Sequence, residues 1–291
     1  MIPILAGMAT AVAWAISVLA SARASRVTGA PQTAAGVMLV GTVVVLPVAV
    51  VATPLPTNLA DPAFTLFLAT LAGAANVGGL LLTYAAYRVG VVGIIATIGS
   101  TEGAIAAVIS VLAGQTLAPG SGPVLGVIAI GVVLAATGGG GEREEGVLID
   151  RARSLRAAAL ATGAAALFGL GLFTTGYVSA TLPPVWVVLP SRIVGVLLVA
   201  VPLVLMGRLR ISRSVLPLVV VTGLVEVVGF STYAIGAQAD IAISSVLASM
   251  FAPIAAVAAF VLFRERLAPR QVLGIALVVI GIATLGVLAG T

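Results

Sequence analysis

Residues 91–113 read VVGIIATIGSTEGAIAAVISVLA, an apolar run interrupted by a single charge, Glu102. At about 1.5 Å of rise per residue such a run spans a hydrocarbon layer of roughly 30 Å as a helix. Glu102 then falls near the middle of that layer. A carboxylate there costs about 2.5–3.5 kcal/mol on insertion scales. One substitution would remove the cost, so an intramembrane acid reads first as functional and second as a buried hydrogen-bonded lock.

The rest of the chain follows the same pattern. Of 291 residues 61% are hydrophobic and 8% are charged, whereas soluble domains carry about 25% charged residues. The apolar segments are continuous and do not alternate, which excludes an outer-membrane barrel. Ten spans are expected, at about 2–22, 34–53, 62–86, 91–113, 120–138, 155–180, 184–206, 215–236, 242–263 and 270–289. Ala20-Ser21-Ala22 faintly resembles a signal-cleavage site, but no basic stretch precedes it, so the first segment reads as a retained helix. The basic residues are all Arg, and the chain has neither Cys nor His. Zinc, thiol and histidine chemistry are therefore excluded, no cofactor motif is present, and neither a nucleophile elbow nor a phosphate loop occurs. The net charge of +5 lies in short loops, a topology signal and not one for nucleic acid.

The chain also repeats itself. Leu117-Ala118-Pro119 after the fourth span returns as Leu267-Ala268-Pro269 after the ninth. Tyr84-Ala85 matches Tyr233-Ala234, and Ser100 matches Ser249, each pair 149 residues apart. Trp14-Ala15 has a counterpart in Phe168-Gly169. The hydrophilic stretch GGGGEREEGVLIDRARSLR after the fifth span divides the copies. The expected organisation is a first five-helix repeat at 1–138, a linker at 139–154 and a second five-helix repeat at 155–291. Five is odd, so the second copy enters from the opposite face. The fold class is thus an all-α integral membrane protein of ten helices in two inverted repeats, with a central site between the halves.

These features resemble the EamA family of the drug/metabolite transporter superfamily. The run Phe263-Arg264-Glu265-Arg266-Leu267-Ala268-Pro269-Arg270-Gln271-Val272-Leu273-Gly274 is similar to the family's Glu-containing turn. Gly114-Gln115-Thr116-Leu117-Ala118-Pro119 is its partial copy, with Gln115 in place of Glu. Ala13-Trp14-Ala15 is similar to the family's Trp-Gly in the first helix, and Arg192 stands where the family often has Arg. The resemblance implies a transporter and not an enzyme, moving small metabolites and often exporting amino acids from the cytoplasmic membrane of bacteria. Without an ATP-binding domain, energy comes from an ion gradient or from the substrate's own.

The candidate site residues are Glu102, Glu226, Arg192, Asn76, Trp14, Tyr84, Phe230 and Tyr233. Glu226 shares a helix face with Gly223, Gly229, Phe230 and Tyr233. Asn76 lies on a stripe with Gly73, Thr83 and Tyr87, and serves either the pocket or interhelical bonding. Trp14 is too deep for an interfacial belt, unlike Trp186 at a helix start. Arg192 either snorkels, pairs with a buried acid or holds a substrate carboxylate. Ser244, Ser245 and Ser249 read as close-packing residues. A cavity among the third, fourth, eighth and ninth helices follows. Protons suit coupling, because taking one up removes the cost of burying a carboxylate. Efflux of drugs or quaternary cations is the alternative within transport, with Trp14, Phe230 and Tyr233 facing the cation; a non-transporting scaffold is the alternative outside it. The partners are a small-molecule substrate and the lipid bilayer. Oligomeric state stays open.

Orientation follows Arg. Loops after odd-numbered spans hold Arg23, Arg26, Arg88, Arg143, Arg151, Arg153, Arg156, Arg208, Arg210, Arg213, Arg264, Arg266 and Arg270, and the other loops and termini hold none. The odd loops are therefore expected in the cytoplasm and the termini outside, although the resemblance implies cytoplasmic termini.

Overall fold

The structure is a computed structural model that describes residues 1–54, 56–57, 59–90, 92–136, 151–254 and 269–288. Most of the expected linker, the second half of the ninth span and the Phe263–Ala268 part of the Glu-containing turn lie outside the described residues. Every regular element among the described residues is helical. Seven helices are long and apolar enough to cross a membrane, and three shorter apolar ones accompany them.

In order these are α1 (Ile2–Thr28), α2 (Ala30–Pro47), α3 (Pro62–Val89), α4 in two pieces (Val92–Gly99 and Glu102–Leu112) and α5 (Ser121–Ala136). They continue with α6 (Arg151–Ser179), α7 (Pro184–Gly195 and Val201–Leu205), α8 (Leu216–Ala237), α9 (Ile241–Ile254) and α10 (Pro269–Leu288). The sixth helix starts at Arg151, four residues earlier than its hydropathy suggests. Helix geometry does not require apolar residues, so the polar turn Arg151–Ser154 extends the helix beyond the span.

Burial along α1 runs opposite to that of a soluble helix. Its inner face is small or polar, with Gly7, Thr10, Ala11, Trp14, Ser17, Ser21 and Ala24 buried. Its outer face is Leu5, Met8, Val12, Ile16 and Leu19, all exposed. Such an arrangement suits lipid, where large side chains lose nothing by facing outward and small ones let helices approach closely. Gly7 shows the closeness: a Cβ there would stand 2.8 Å from the Leu247 Cβ of α9.

Caps and breaks fall where side chains dictate. Asp61 accepts from the Phe64 N–H at 2.9 Å, with Pro62 in the first helical turn of α3. Asp240 caps α9 in the same way through Ile243 at 2.8 Å. α4 is broken at Ser100 and Thr101, whose hydroxyls donate to the carbonyls of Thr97 and Ile98, both at 2.7 Å. α9 has a turn at Ser249 and Met250, and the Ser249 hydroxyl donates to the Val246 carbonyl at 2.7 Å. Hydroxyl bonding of this kind competes with the helix ladder and bends it. Prolines accompany two further departures: a π-helical turn, Val48–Ala52, follows Pro47, and another, Val196–Ala200, precedes Pro202. The wider turn accommodates a ring that has no N–H to give.

Packing exchanges the two halves of the chain. α1 lies along α8, and α3 lies along α6, as the two most extensive contacts. α2 meets α8 as α3 meets α7; α1 meets α9 as α6 meets α4; α5 and α10 meet each other. α4 crosses α9 at Gly103, where a Cβ would overlap the Ser245 carbonyl oxygen. The Ser245 hydroxyl donates to the Gly103 carbonyl at 3.2 Å. Ser245 is therefore a close-packing residue, as its small size suggested.

Candidate functional site

Arg192 is the largest fully buried side chain among the described residues and has no exposed surface. It does not snorkel. Gly41 on α2 leaves the space it needs, since a Cβ there would stand 2.7 Å from the Arg192 Cδ. The guanidinium Nη1 reaches the Met38 sulfur at 3.7 Å, and the charge sits over the Phe230 ring, 5.2 Å from its centroid. Arg192 Nη2 lies 3.9 Å from Glu226 Oε2. The other carboxylate oxygen of Glu226 accepts a hydrogen bond from the Ser17 hydroxyl at 2.7 Å. Glu226 of α8 is thus held by a cation from α7 and a hydroxyl from α1.

Beside this group is a cavity of about 70 Å³. Glu226, Glu102, Asn76, Trp14, Tyr84 and Phe230 all reach its wall. Arg192 and Tyr233, the other two candidates, stand behind it. Arg192 is covered by Glu226 and Phe230. Tyr233 stacks on Trp14 at 6.5 Å between ring centroids, and its hydroxyl donates to the Leu172 carbonyl at 2.9 Å. Trp14 also meets Phe230 at 5.1 Å, and it rests over Gly229, where a Cβ would come within 2.5 Å of the indole nitrogen.

The two acids differ in their surroundings. Glu226 has Arg192 and Ser17. Glu102, the first residue of the second piece of α4, has no hydrogen-bonding or ion-pairing side chain among the described residues. Asn76 is buried on the same cavity with both its amide nitrogen and its amide oxygen unpartnered. Among the described residues no cluster of acids could hold a metal ion.

The cavity walls extend beyond the expected third, fourth, eighth and ninth helices. α1 contributes Trp14, Ser17, Val18 and Ser21, and α6 contributes Ala161, Phe168, Gly171 and Leu172, while among the described residues α9 gives only Phe251. The reason is the exchange in packing: α1 and α6 each run along the other half, which brings them to the centre. Phe168 was legible as the counterpart of Trp14 and occupies the matching place, its ring over Gly79 on α3 as Trp14 lies over Gly229 on α8. Phe251 and Leu172 carry no such signal in the sequence. Trp186, outside the site, donates through its indole N–H to the Thr53 carbonyl at 2.9 Å and ties the start of α7 to the end of α2.

A crystal structure of another protein has a similar fold, with a TM-score of 0.73 over 97% of this chain and 96% of that one, at 18% sequence identity. No curated protein gives a significant sequence match. The profile of the EamA-like transporter family matches residues 1–137 and again 155–287. Matched over both halves, the chain belongs to the EamA-like transporter family of the drug/metabolite transporter superfamily, and is a multi-pass membrane transporter.

Proposed function

We propose that the protein is a secondary transporter exporting small metabolites such as amino acids across the bacterial cytoplasmic membrane. It works by alternating access between two inverted five-helix repeats, residues 1–138 and 155–291, joined by 139–154, and is coupled to protons. Glu102 and Glu226 carry the exchangeable charge. Arg192 neutralises Glu226, Asn76 hydrogen-bonds the substrate, and Trp14, Tyr84 and Phe230 form its aromatic surround, with Tyr233 stacked behind Trp14. The observation that carries the reading is the placement of the cavity. It is enclosed by α1, α3 and α4 of one half and α6, α8 and α9 of the other, the interface that moves when inverted repeats rock against each other. The exchange of helix partners between halves supports the same organisation.

The test is counterflow in proteoliposomes with a panel of radiolabelled amino acids, with and without an imposed pH gradient. Saturable exchange that responds to the gradient is expected, and Glu102→Gln and Glu226→Gln should each impair it in protein that still folds. Absence of counterflow for every solute, or wild-type rates in both variants, would refute the reading.

A further inference from the structure

Charge inside the cavity does not balance. Glu226 already has its counter-ion in Arg192, 3.9 Å away, and a hydroxyl donor in Ser17. Glu102 faces the same space with neither among the described residues. An isolated carboxylate away from water is costly unless a cation or a hydrogen-bond donor joins it. The Asn76 amide on the wall of the same cavity, buried and unpartnered at both ends, is a second polar group that packing leaves unsatisfied. Buried polar groups are nearly always satisfied by something, and here both open onto one cavity. The rest of the wall combines the rings of Trp14, Phe168, Phe230 and Phe251 with the hydroxyls of Ser17, Ser21, Thr83, Tyr84 and Tyr87, and the Trp14 indole nitrogen and Tyr84 hydroxyl are likewise unpartnered among the described residues.

We infer that the substrates this site selects are protonated amines, small organic monocations that retain N–H bonds, with the ammonium on Glu102 and Asn76 and an apolar body among the rings. The inference rests on the transport reading and replaces the amino acids named there with amines that carry no carboxylate, so failure of amino-acid counterflow alone leaves it standing. Three features set the class. The one unmatched charge is negative, so it calls for a single positive charge. Ring faces attract cations and accept apolar groups alike. A substrate carboxylate has no cation to meet, because Arg192 lies behind Glu226 and Phe230 and is absent from the wall. A zwitterion would therefore bring its own carboxylate beside two others. A quaternary ammonium carries the right charge but has no N–H for Glu102 or for the Asn76 oxygen.

The experiment uses purified full-length protein carrying Trp186→Phe, which leaves Trp14 on the cavity wall as the sole tryptophan. Its emission is titrated with four ligands that share a benzyl body: phenethylamine, its N-trimethyl derivative, phenylalanine and phenylacetate. Phenethylamine should bind best, with each of the others weaker by roughly tenfold or more. Glu102→Gln should weaken phenethylamine by roughly ten- to a hundredfold, the worth of a charge-assisted hydrogen bond, and bring the four ligands close together. Phenylalanine or phenylacetate binding as tightly as phenethylamine overturns the inference, and this ligand comparison does not depend on any Glu102 variant folding. A folded Glu102→Gln protein that keeps the order of affinities overturns it too. No response to any of the four also overturns it, whereas saturable counterflow of another solute would leave the transporter reading intact.

Discussion

Glu226→Gln removes a charge and leaves the shape almost unchanged. The Gln side-chain oxygen still accepts the Ser17 hydroxyl, so the bond at 2.7 Å survives. What disappears is the attraction to Arg192 across 3.9 Å, which is about 4 kcal/mol at an effective dielectric of about 20. What still touches the guanidinium includes the Phe230 ring and the Met38 sulfur, neither of which carries a charge. A cation over a ring is worth about 0.5–2 kcal/mol, too little to compensate for burying an unmatched charge. We expect Glu226→Gln to destabilise the protein by about 3–4 kcal/mol, within the range for breaking a buried pair from one side. Arg192→Met should be similarly harmful, because it leaves Glu226 with Ser17 alone. The double variant Arg192→Met/Glu226→Gln has no buried charge at this place and should lie within about 1 kcal/mol of the original chain. The assay is reversible unfolding in mixed micelles titrated with SDS, followed by tryptophan emission, since Trp14 touches Phe230. Additivity of the two single effects within about 0.5 kcal/mol would show that the two side chains do not depend on each other.

Two further outcomes follow from packing and from charge. Gly103→Ala places a methyl group on the Ser245 carbonyl and should lower stability by about 1–3 kcal/mol, while Gly126→Ala, which meets nothing within 4 Å, should not; equal melting temperatures for the two would show that α4 and α9 do not cross as described. A single cysteine placed within Gly138–Gly141, in a chain that has no cysteine of its own, should resist a membrane-impermeant maleimide in intact cells, and ready labelling would place that loop outside and the Arg argument in error.

The long helices were legible because lipid imposes a simple rule on composition, and the segments rich in Val, Leu and Ala obey it. The breaks were not expected: Ser100 and Ser249 matched in the sequence, but only the structure shows that each lies at a turn where its hydroxyl donates to a carbonyl three residues back. The depth of Arg192 was not legible. It depends on the missing side chain of Gly41 on another helix, and nothing near Arg192 in the sequence distinguishes a buried guanidinium from one that snorkels. The unequal standing of the two acids was hidden for a similar reason. Each has glycines beside it in the chain, but among the described residues only Glu226 finds partners, and both come from other helices. Arg192 lies 34 residues away and Ser17 lies 209 residues away. The part played by α1 and α6 was half visible in the match of Trp14 with Phe168, whereas the neighbours of each helix are a tertiary property that no local pattern encodes.

The repeat relation gives the two tyrosines opposite roles. Tyr233 now donates to the Leu172 carbonyl at 2.9 Å, joining α8 to α6. The same displacement that carries Trp14 onto Phe168 carries Val18 onto Leu172 and Ser21 onto Thr175, while Tyr84 corresponds to Tyr233. The counterpart of the Tyr233–Leu172 bond is therefore a bond from the Tyr84 hydroxyl to the Val18 carbonyl. It is not formed here. The Ser21 hydroxyl donates to Val18 at 3.4 Å, and Tyr84 lines the cavity. If the halves exchange conformations, the two bonds should exchange with them. Tyr84 would then close the end of the cavity nearest Arg26 and Tyr87, and the Tyr233 end would open. Tyr233→Phe removes a bond from this conformation only and Tyr84→Phe from the other only, each worth about 1 kcal/mol, or roughly a fivefold shift between states. A single cysteine at Thr10, buried and bonded to the Gly229 carbonyl at 3.2 Å on the Tyr233 side, would report the shift. Maleimide labelling of purified protein should become roughly fivefold faster with Tyr233→Phe and slower with Tyr84→Phe. Changes in the same direction for both variants would show that the two tyrosines do not trade places, and that this cavity is not closed alternately from its two ends by matching bonds.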